Sequence, residues 1–519
     1  MTGQRSDYLR RLADAVLQPG FVGTAPPAWV RRRLADGLGG VALFSRNIID
    51  PAQVAALTAV LRAENPHAIV AIDEEAGDVT RLESRTGSSR PGNLALGVVD
   101  DPELTEAVAC ELGYELAEAG ITLNYAPDAD VNSNADNPVI GVRSFGSDPD
   151  LVARHTAAWV RGLQSTGVAA CAKHFPGHGN TSVDSHHAAP VVGATRDELL
   201  ACELVPFRAA VEAGVQAIMS AHLFVPAIDP DLPATLSRRL LTDVLRGDLG
   251  FDGLIVTDGI EMAAVAKPYG LAGAAVRALA AGADAICVGG ETADEAAAAA
   301  LRDAIVDAVA AGTLAEERLV EAAERVRRLA RWTAARVPRP DAAPVVPVGH
   351  GNGANGYAGL LGLAAARRAV RVSADGGAAS LPLAGAPHVV EFVAPGNMAI
   401  GPETPWGVAE PLGGLLPGTT AVRVAAGEFH DAAYLGQAAL EPAAGRPLVL
   451  VVRDAHRHPW MTRALRTLLA ARPDAVVVEM GVPAVRPGRV HLATYGASRA
   501  NGLAAAEVLA GAEVLAGRA

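Results

Sequence analysis

The sequence contains few of the residues that mark disulfide-stabilised or membrane-embedded proteins. Only 4 of its 519 residues are cysteines, and they form no Cys-x-x-Cys pair, so neither a disulfide framework nor a cysteine-bound zinc site is indicated. Apolar runs stay shorter than a bilayer span, and the charged N-terminus is not followed by a signal-peptide core. We therefore expect a cytoplasmic protein without a membrane partner.

Charge and length limit the class of protein further. There are 44 Lys and Arg against 57 Asp and Glu, and the net charge of −13 disfavours nucleic acid as a partner. Aromatic residues make up only 4%, whereas 50% of the residues are hydrophobic, which is typical of a soluble α/β protein. A chain of this length exceeds one ordinary core and predicts two domains, or a barrel with an addition.

Short apolar runs alternate with helical patterns over the first two thirds of the chain. This alternation is typical of βαβ units and a parallel sheet, and eight units before a break favour a closed (β/α)₈ barrel over an open sheet. We therefore predict an α/β protein whose barrel domain covers residues 1–335. The predicted strands are 20–23, 40–44, 68–73, 121–126, 168–174, 217–222, 253–258 and 283–288.

A stretch rich in Pro, Gly and Asn follows the barrel and predicts a linker over 336–356. Strand-like and helical patterns resume after it and predict a smaller, open-sheet α/β domain over 357–519. Its predicted strands are 389–393, 448–452 and 475–479, and its predicted helices are 357–369, 458–471 and 498–510.

Titratable residues concentrate where the predicted barrel strands end. The densest stretch, 173–187, follows a buried strand and places four histidines, a lysine and an aspartate around glycine and proline. Catalytic residues of such barrels lie at the carboxyl ends of the strands, so we expect the active site there. The polar strand ends are Asp73–Glu75, Asn124–Asp130, Lys173–His174, His222 and Asp258.

The residue types at these ends suggest a nucleophile with a separate acid/base. Asp258 emerges from the apolar run 254–256, although a helix cap or a structural carboxylate would look the same. Asp184 lies two residues before His186 and could orient its imidazole, unless the two are an incidental surface pair. Three cations could face hydroxyl or acyl groups, although each alone is more often a surface ion-pair residue: Lys173, Arg81 and Arg143.

A metal-dependent hydrolase is the competing enzyme class. Neither a His-x-His at the first strand end nor a His-Glu-x-x-His motif is present, so we expect no metal and no other cofactor. A phosphate-binding barrel is supported only by Gly289–Gly290. The residues that could assemble a zinc or two-metal site are His174, His178, His186, His187, His222 and Asp258.

Four segments, in this order, resemble glycoside hydrolase family 3, and within it the β-N-acetylglucosaminidase branch. They span the first domain: Asp73–Leu82, Asn137–Gly146, Lys173–Gly179 with Asp184–His186, and Thr257–Met262. Residues 493–498 and 504–511 resemble the αβα sandwich domain of the same family. The sequence departs from the family at Ala76, where a glycine is usual, and at His187 and Ala188, where residues on the aglycone side vary.

The resemblance implies a retaining mechanism through a covalent glycosyl-enzyme. Asp258 matches the nucleophile, and His186 with Asp184 matches the acid/base pair of this branch. The positions that hold the terminal sugar are matched by Asp73, Arg81, Arg143, Lys173 and His174.

The expected activity is exo-hydrolysis of terminal β-linked GlcNAc from cell-wall (muropeptide) or chitooligosaccharide fragments, with a small carbohydrate as the substrate. The alternatives are a β-N-acetylglucosaminide phosphorylase, a β-glycosidase of different sugar specificity, and a catalytically silent sugar-binding protein. Retention of every matched catalytic residue argues against the silent protein.

Overall fold

The computed structural model describes residues 2–182, 190–290, 292–336, 360–374, 381–394, 399–401, 403–428 and 432–512. The strands are β1 (Leu17–Pro19), β2 (Gly40–Leu43), β3 (Ile69–Ile72), β4 (Leu123–Asn124), β5 (Ala169–Phe175), β6 (Ala217–Ser220), β7 (Phe224–Val225), β8 (Asp229–Pro233), β9 (Leu254–Thr257), β10 (Ile286–Val288), β11 (Arg371–Ala374), β12 (His388–Val393), β13 (Thr420–Ala425), β14 (Leu448–Val452), β15 (Val476–Glu479) and β16 (Val490–Ala493).

The α-helices lie between and around these strands. They are α1 (Thr2–Ala15), α2 (Ala28–Asp36), α3 (Pro51–Glu64), α4 (Asn93–Val99), α5 (Pro102–Glu118), α6 (Pro149–Gln164), α7 (Arg196–Ala201), α8 (Leu204–Glu212), α9 (Ala263–Tyr269), α10 (Leu271–Ala281), α11 (Glu295–Ala310), α12 (Glu316–Ala334), α13 (Leu360–Ala369), α14 (Ala409–Leu415), α15 (Ala432–Leu435), α16 (Pro459–Ala471) and α17 (Arg499–Ala510). In the part of the chain that the structure describes, none of the helices combines the length and the apolar character that a bilayer crossing requires.

Contacts divide the chain into two units. The first consists of Met1–Glu75, Asp101–Ile140 and Ser144–Val348, and the second of Ala76–Asp100, Gly141–Arg143 and Gly349–Ala519. Within the predicted barrel domain, 1–335, two segments group with the second unit: Ala76–Asp100 and Gly141–Arg143. The predicted linker, 336–356, lies outside the described residues except for Arg336.

The first unit contains the eight parallel strands of the predicted barrel. Six of them form a curled sheet in the order β2-β3-β4-β5-β6-β9, and β1 pairs in parallel with β10. A bridge between Val256 and Ala285 joins β9 to β10. Together with the second sheet described below, this arrangement confirms the predicted fold class.

Buried small and branched side chains explain why the barrel strands are continuous apolar runs. Residues from consecutive strands meet in one core, because strands of a parallel barrel are covered on both faces. Members of this core are Ile69, Ala71, Leu123, Ala169, Cys171, Ala217, Leu254, Val256 and Ala285.

Asp-Pro pairs begin three of the outer helices. The carboxylates of Asp50, Asp101 and Asp148 each accept an N–H from the third residue beyond them, and the following proline occupies the first helical position. These caps satisfy an N–H that the helix cannot pair, and proline loses nothing at that position. The helices α3, α5 and α6 therefore each begin at the proline that follows the capping aspartate.

The first barrel strand lies earlier than predicted. Strand β1 covers Leu17–Pro19 and pairs Leu17 with Ile286, whereas the expected strand at 20–23 is a loop. Gly20 marks the change, because a side chain there would come within 2.9 Å of the Gly289 carbonyl oxygen. The glycine thus serves a close backbone approach at the end of the strand.

The second unit is a six-stranded sheet covered on both faces. Its order is β11-β16-β15-β14-β12-β13, with β11 antiparallel and the other five strands parallel. Val390 and Leu450 pack with α16 on one face, and Val389 and Val449 pack with α17 on the other. This is the predicted αβα sandwich, and its strand order reverses between β12 and β14.

Candidate active site

Lys173 lies at the end of β5 and joins this strand to the segment after β3. Its ammonium is 2.6 Å from Glu75 Oε1 and also pairs with the Asp73 carboxylate. Only 2% of the Lys173 side chain and 3% of the Glu75 side chain are exposed, so the charges hold one another in fixed positions. Asn124 helps by accepting the Glu74 N–H at 2.9 Å and donating to the Glu74 carbonyl at 2.7 Å.

His174 is oriented by Asp130. Its Nδ1 lies 2.7 Å from Asp130 Oδ2, while Asp130 Oδ1 accepts the backbone N–H groups of His174 and His178 at 3.2 and 2.7 Å. Burial pushes the pKa of Asp130 upward, but the charges of His174 and His178 and the hydrogen bonds that these residues donate together outweigh burial and leave that pKa below its usual value. Asp130 is therefore ionised, and His174 Nδ1 carries the proton that it donates.

Asp128 joins His174 and Asp130 in a cluster of three side chains that could each bind a metal ion. Atoms of Asp128, Asp130 and His174 lie within 4.8 Å of one another, and all three residues are buried. Asp130 receives three N–H groups, and Asp128 Oδ1 accepts the Asp130 N–H at 3.0 Å. Since His174 Nδ1 is protonated in this arrangement, the cluster has the chemistry of a hydrogen-bonded carboxylate rather than of a cation site.

Asp258 follows β9 directly, as predicted. Its backbone N–H donates to the Ser220 carbonyl at 3.1 Å, and its Oδ1 accepts the Gly259 N–H at 2.7 Å. The electrostatic environment of the buried Cys171 thiol includes both Asp258 and sugar-binding candidates. Burial raises the pKa of this thiol, and the charges of Lys173, Asp73 and Asp258 all act on it. Because the three residues stand at the carboxyl ends of strands β3, β5 and β9 of one parallel sheet, they lie at the same end of the barrel.

His222 supports the peptide that follows Asp258. The imidazole is fully buried, with Nε2 2.9 Å from the Gly259 carbonyl oxygen and Nδ1 2.8 Å from Thr235 Oγ1. A carbonyl only accepts, so Nε2 carries a proton. His222 thus holds the backbone beside the candidate nucleophile, a role that its position at a strand end suggested only in part.

Two residues at the same rim were missed by the sequence analysis. Glu261 Oε1 accepts the N–H groups of Gly289, at 2.9 Å, and of Gly290, while Arg46 Nη1 donates to the Gly290 carbonyl at 2.6 Å. The glycine pair that suggested a phosphate loop is therefore engaged with a carboxylate. The glycine pair is visible in the sequence, but Glu261 and Arg46, which contact it, belong to other loops. Sequence spacing does not reveal such contacts.

Arg81 and Arg143 belong to the second unit. Arg81 Nη2 donates to the Ala399 carbonyl at 3.0 Å, and the Arg143 carbonyl accepts from Asn93 Nδ2 at 2.7 Å. Both arginines are buried, with 7% and 6% exposure. Ala76, where the family usually has glycine, adopts a φ of 64°, a left-handed conformation that costs a non-glycine residue about 1 kcal/mol.

The predicted acid/base pair, Asp184 and His186, lies outside the described residues together with His187 and Ala188. The loop that leads to it is described up to residue 182. His178 Nδ1 is 2.7 Å from Thr181 Oγ1, and the His178 carbonyl accepts from Asn137 Nδ2 at 2.8 Å. The roles of Asp184 and His186 remain predictions.

The chain matches known proteins along most of its length. The family model described as "Glycosyl hydrolase family 3 N terminal domain" matches residues 22–329. A beta-hexosaminidase of Thiobacillus denitrificans is 41% identical over 276 residues, which are 51% of this chain and 76% of that protein. Beta-hexosaminidase A of Pseudoalteromonas piscicida is 35% identical over 282 residues, 50% of this chain but only 47% of that protein, so the chain spans about half of its length.

A solved structure covers both units. The glycoside hydrolase family 3 beta-N-acetylglucosaminidase from Paenibacillus sp. str. FPU-7 has a TM-score of 0.84 and 34% sequence identity, and the match covers 97% of this chain and 96% of that one. Together with the family model and the barrel geometry, this similarity shows that the chain belongs to glycoside hydrolase family 3.

Proposed function

We propose that this protein is a retaining exo-β-N-acetylglucosaminidase. The observation that carries the proposal is the buried ion pairing of Lys173 with Asp73 and Glu75 at the end of the barrel where strand β9 leads into Asp258. Fixed, buried charged groups beside a strand-end carboxylate suit a polar, uncharged ligand such as a sugar, whose hydroxyl groups both donate and accept. The similarity to a family 3 beta-N-acetylglucosaminidase and to beta-hexosaminidases supports GlcNAc as that sugar.

In the proposed reaction, the Asp258 carboxylate attacks the anomeric carbon of a terminal β-linked GlcNAc and forms a glycosyl ester. His186, oriented by Asp184, gives its proton to the departing oxygen. It then takes a proton from water, which attacks the anomeric carbon and releases the sugar with retained configuration. The bond from Gly259 N–H to Asp258 Oδ1 fixes the carboxylate in advance of the attack.

The terminal sugar is assigned to the charged residues around the nucleophile. Asp73 accepts from hydroxyl groups, Lys173 donates to them, and His174 is held by Asp130 so that its ring faces one fixed direction. Arg81 and Arg143 are added to these sugar-binding residues because they match positions that hold the terminal sugar in the family. We propose cell-wall (muropeptide) or chitooligosaccharide fragments as substrates and the cytoplasm as the location.

A panel of 4-nitrophenyl glycosides tests the proposal. The β-GlcNAc glycoside should be cleaved with a higher kcat/KM than the β-glucoside or the α-GlcNAc glycoside, and proton NMR should show the β-anomer as the first product. Asp258→Ala should remove turnover without loss of the folded state, and azide should restore cleavage with an α-glycosyl azide as the product. Wild-type activity in Asp258→Ala would refute the assignment of the nucleophile.

A further inference from the structure

A loop of the second unit is anchored to the C-terminal part of the chain. This loop, residues 76–92, follows β3 and carries Arg81. Asp78 Oδ2 lies 2.6 Å from Arg453 Nη2, and Asp78 Oδ1 accepts the Ala497 N–H at 2.6 Å. Only 3% of the Asp78 side chain is exposed, so both of its carboxylate oxygens are engaged in a buried position.

Further contacts hold the same loop at its far end. Arg499 Nη2 is 3.3 Å from Glu83 Oε1, and Arg499 Nε donates to the Gly87 carbonyl at 3.2 Å. Helix α13 packs so closely on the loop that a side chain at Gly362 would come within 2.4 Å of the Ser89 carbonyl oxygen. Arg81 itself donates to the Ala399 carbonyl, so the C-terminal part of the chain contacts the loop on several sides.

Arg453, which anchors the loop through Asp78, lies at a place in the sheet where ligands usually bind. Arg453 follows β14 directly, next to the point where the strand order reverses between β12 and β14. In open parallel sheets, ligands bind in the crevice outside the carboxyl ends of the strands at such a reversal. Arg453, which lies at this place, forms an ion pair with a carboxylate of the same chain, Asp78. Its positive charge is therefore balanced within the protein.

Burial makes the pair selective for one loop conformation. Breaking a buried ion pair by removing one partner leaves an uncompensated charge, which penalises every arrangement that separates Asp78 from Arg453. Burial also raises the pKa of Asp78, against the opposing effects of Arg453 and of the Ala497 N–H. The carboxylate therefore depends on these two partners to stay charged in a dry environment.

We infer that Arg453 and Asp78 are positioning residues for Arg81, and that the C-terminal part of the chain acts as the scaffold of a sugar-binding loop. The inference rests on the proposed function, because it requires Arg81 to hold the terminal sugar. It assigns a purpose to the sandwich that the sequence alone left open.

A double-mutant cycle on kcat/KM for 4-nitrophenyl β-GlcNAc tests the inference in the full-length chain. Arg453→Ala should lower kcat/KM roughly 10- to 100-fold, mainly through KM, because a binding group is displaced by a distant change. In an Arg81→Ala background the same substitution should add little further loss. Arg453→Lys should recover part of the activity, since it keeps the charge.

Arg423→Ala is the matched control. The guanidinium groups of Arg423 and Arg453 both lie 5.3 Å from the centre of the Trp406 ring, but Arg423 pairs with Glu391. This control should keep KM near the wild-type value, even if thermal unfolding shows a comparable loss of stability. Asp78→Asn, measured in parallel, removes the charge at nearly constant shape should Arg453→Ala fail to fold.

The outcomes separate the inference from the proposed function. Suppose that Arg81→Ala is impaired. The positioning role alone is then overturned if the losses add fully in the double variant, or if both Arg453→Ala and Asp78→Asn keep the wild-type KM. Wild-type kinetics in Arg81→Ala would remove the sugar-binding role of Arg81, and the inference with it. A wild-type protein that does not prefer the β-GlcNAc glycoside in the 4-nitrophenyl panel would instead refute the proposed function, whatever the Arg453 and Asp78 variants show.

Discussion

Asp130 Oδ2 lies 2.7 Å from Nδ1 of His174, and both side chains are buried at the carboxyl end of the barrel strands. The lowered pKa of Asp130 keeps the carboxylate charged, so the proton of the pair is on the imidazole. This bond fixes both the ring orientation and the tautomer of His174. Histidines in catalytic and metal sites are held in the same way, by a carboxylate or carbonyl on the ring nitrogen that does not take part in the chemistry.

Asp130→Asn should therefore lower kcat/KM roughly 10- to 100-fold, because the amide no longer specifies which imidazole nitrogen carries the proton. Since the folded-state pKa of Asp130 lies below its unfolded value, the stabilisation is complete above that unfolded value and is lost as pH falls through the folded pKa. The free energy of unfolding of the variant should thus fall short of wild type at pH 7 and approach it in acid.

Urea unfolding at several pH values and steady-state kinetics check this expectation. Asp148→Asn serves as the control, because Asp148 caps helix α6 and asparagine caps helices equally well. A constant stability difference between Asp130→Asn and wild type from pH 7 down to strongly acidic pH would contradict the assigned charge state.

A second prediction concerns the buried ammonium of Lys173. Lys173→Met should destabilise the protein by about 3–5 kcal/mol, because Glu75 is then a buried carboxylate without its cation. Adding Glu75→Gln should return part of this loss, since the double variant no longer buries an unpaired charge. Both variants should lack activity if Lys173 holds the sugar.

Chemical denaturation gives the stabilities for this comparison. If Glu75→Gln adds to the loss caused by Lys173→Met instead of reducing it, the two side chains do not form the coupled pair that the 2.6 Å contact indicates. A fully active Lys173→Met would separate the ion pair from sugar binding.

Much of the barrel could be predicted from local sequence signals. The buried strand Leu254–Thr257 is a continuous apolar run, and Asp148–Pro149 begins a helix by capping chemistry that depends on neighbouring residues alone. Asp258 and Lys173 could be predicted as site residues because barrels place chemistry at strand ends. Such signals are short-range and therefore visible in one sequence.

The membership of the loop 76–92 in the second unit could not be predicted in this way. It depends on Asp78 meeting Arg453, 375 residues later, and on Glu83 meeting Arg499. An aspartate and an arginine so far apart carry no local signal, because either could pair with any opposite charge on the surface. The carboxylate of Glu261 on Gly289 and Gly290 was missed for the same reason.

This division of the chain leads to a third prediction. The candidate catalytic residues all precede residue 330, which would favour an active fragment ending at Arg336. Such a fragment lacks Arg453, Ala497 and Arg499 and leaves the buried Asp78 without its partners. We expect it to have less than one hundredth of the wild-type kcat/KM, in line with the cost of a misplaced binding group of roughly 100-fold.

Circular dichroism and gel filtration establish whether the fragment is folded before its kinetics are compared. A folded fragment with near-wild-type kcat/KM would show that residues 360–512 are dispensable for the site. Supplying the same residues as a separate chain should restore activity if they act as a scaffold for the loop.

The last prediction concerns the group that takes the sugar from the enzyme. In most retaining glycosidases the acid/base is a carboxylate, which is an anion once the leaving group has departed and repels an approaching phosphate. Two unit charges about 4 Å apart interact by roughly 4 kcal/mol at an effective dielectric of 20. His186 is neutral at that stage, so this repulsion is weaker, although Asp184 still contributes to it. The structure adds an opposing fact, because Glu261 occupies the N–H groups of Gly289 and Gly290 that would otherwise suit an anion.

We therefore expect phosphate to be tolerated as an acceptor while water remains the main one. Phosphorus NMR of reactions with rising inorganic phosphate should show GlcNAc-1-phosphate as a minor product at tens of millimolar phosphate. His186→Glu, which places an anion at the acid/base position, should lower the ratio of sugar phosphate to free sugar, because the variant repels phosphate but not water. A wild-type ratio dominated by sugar phosphate would make the protein a phosphorylase, and a ratio that His186→Glu leaves unchanged would show that the charge at residue 186 does not select the acceptor.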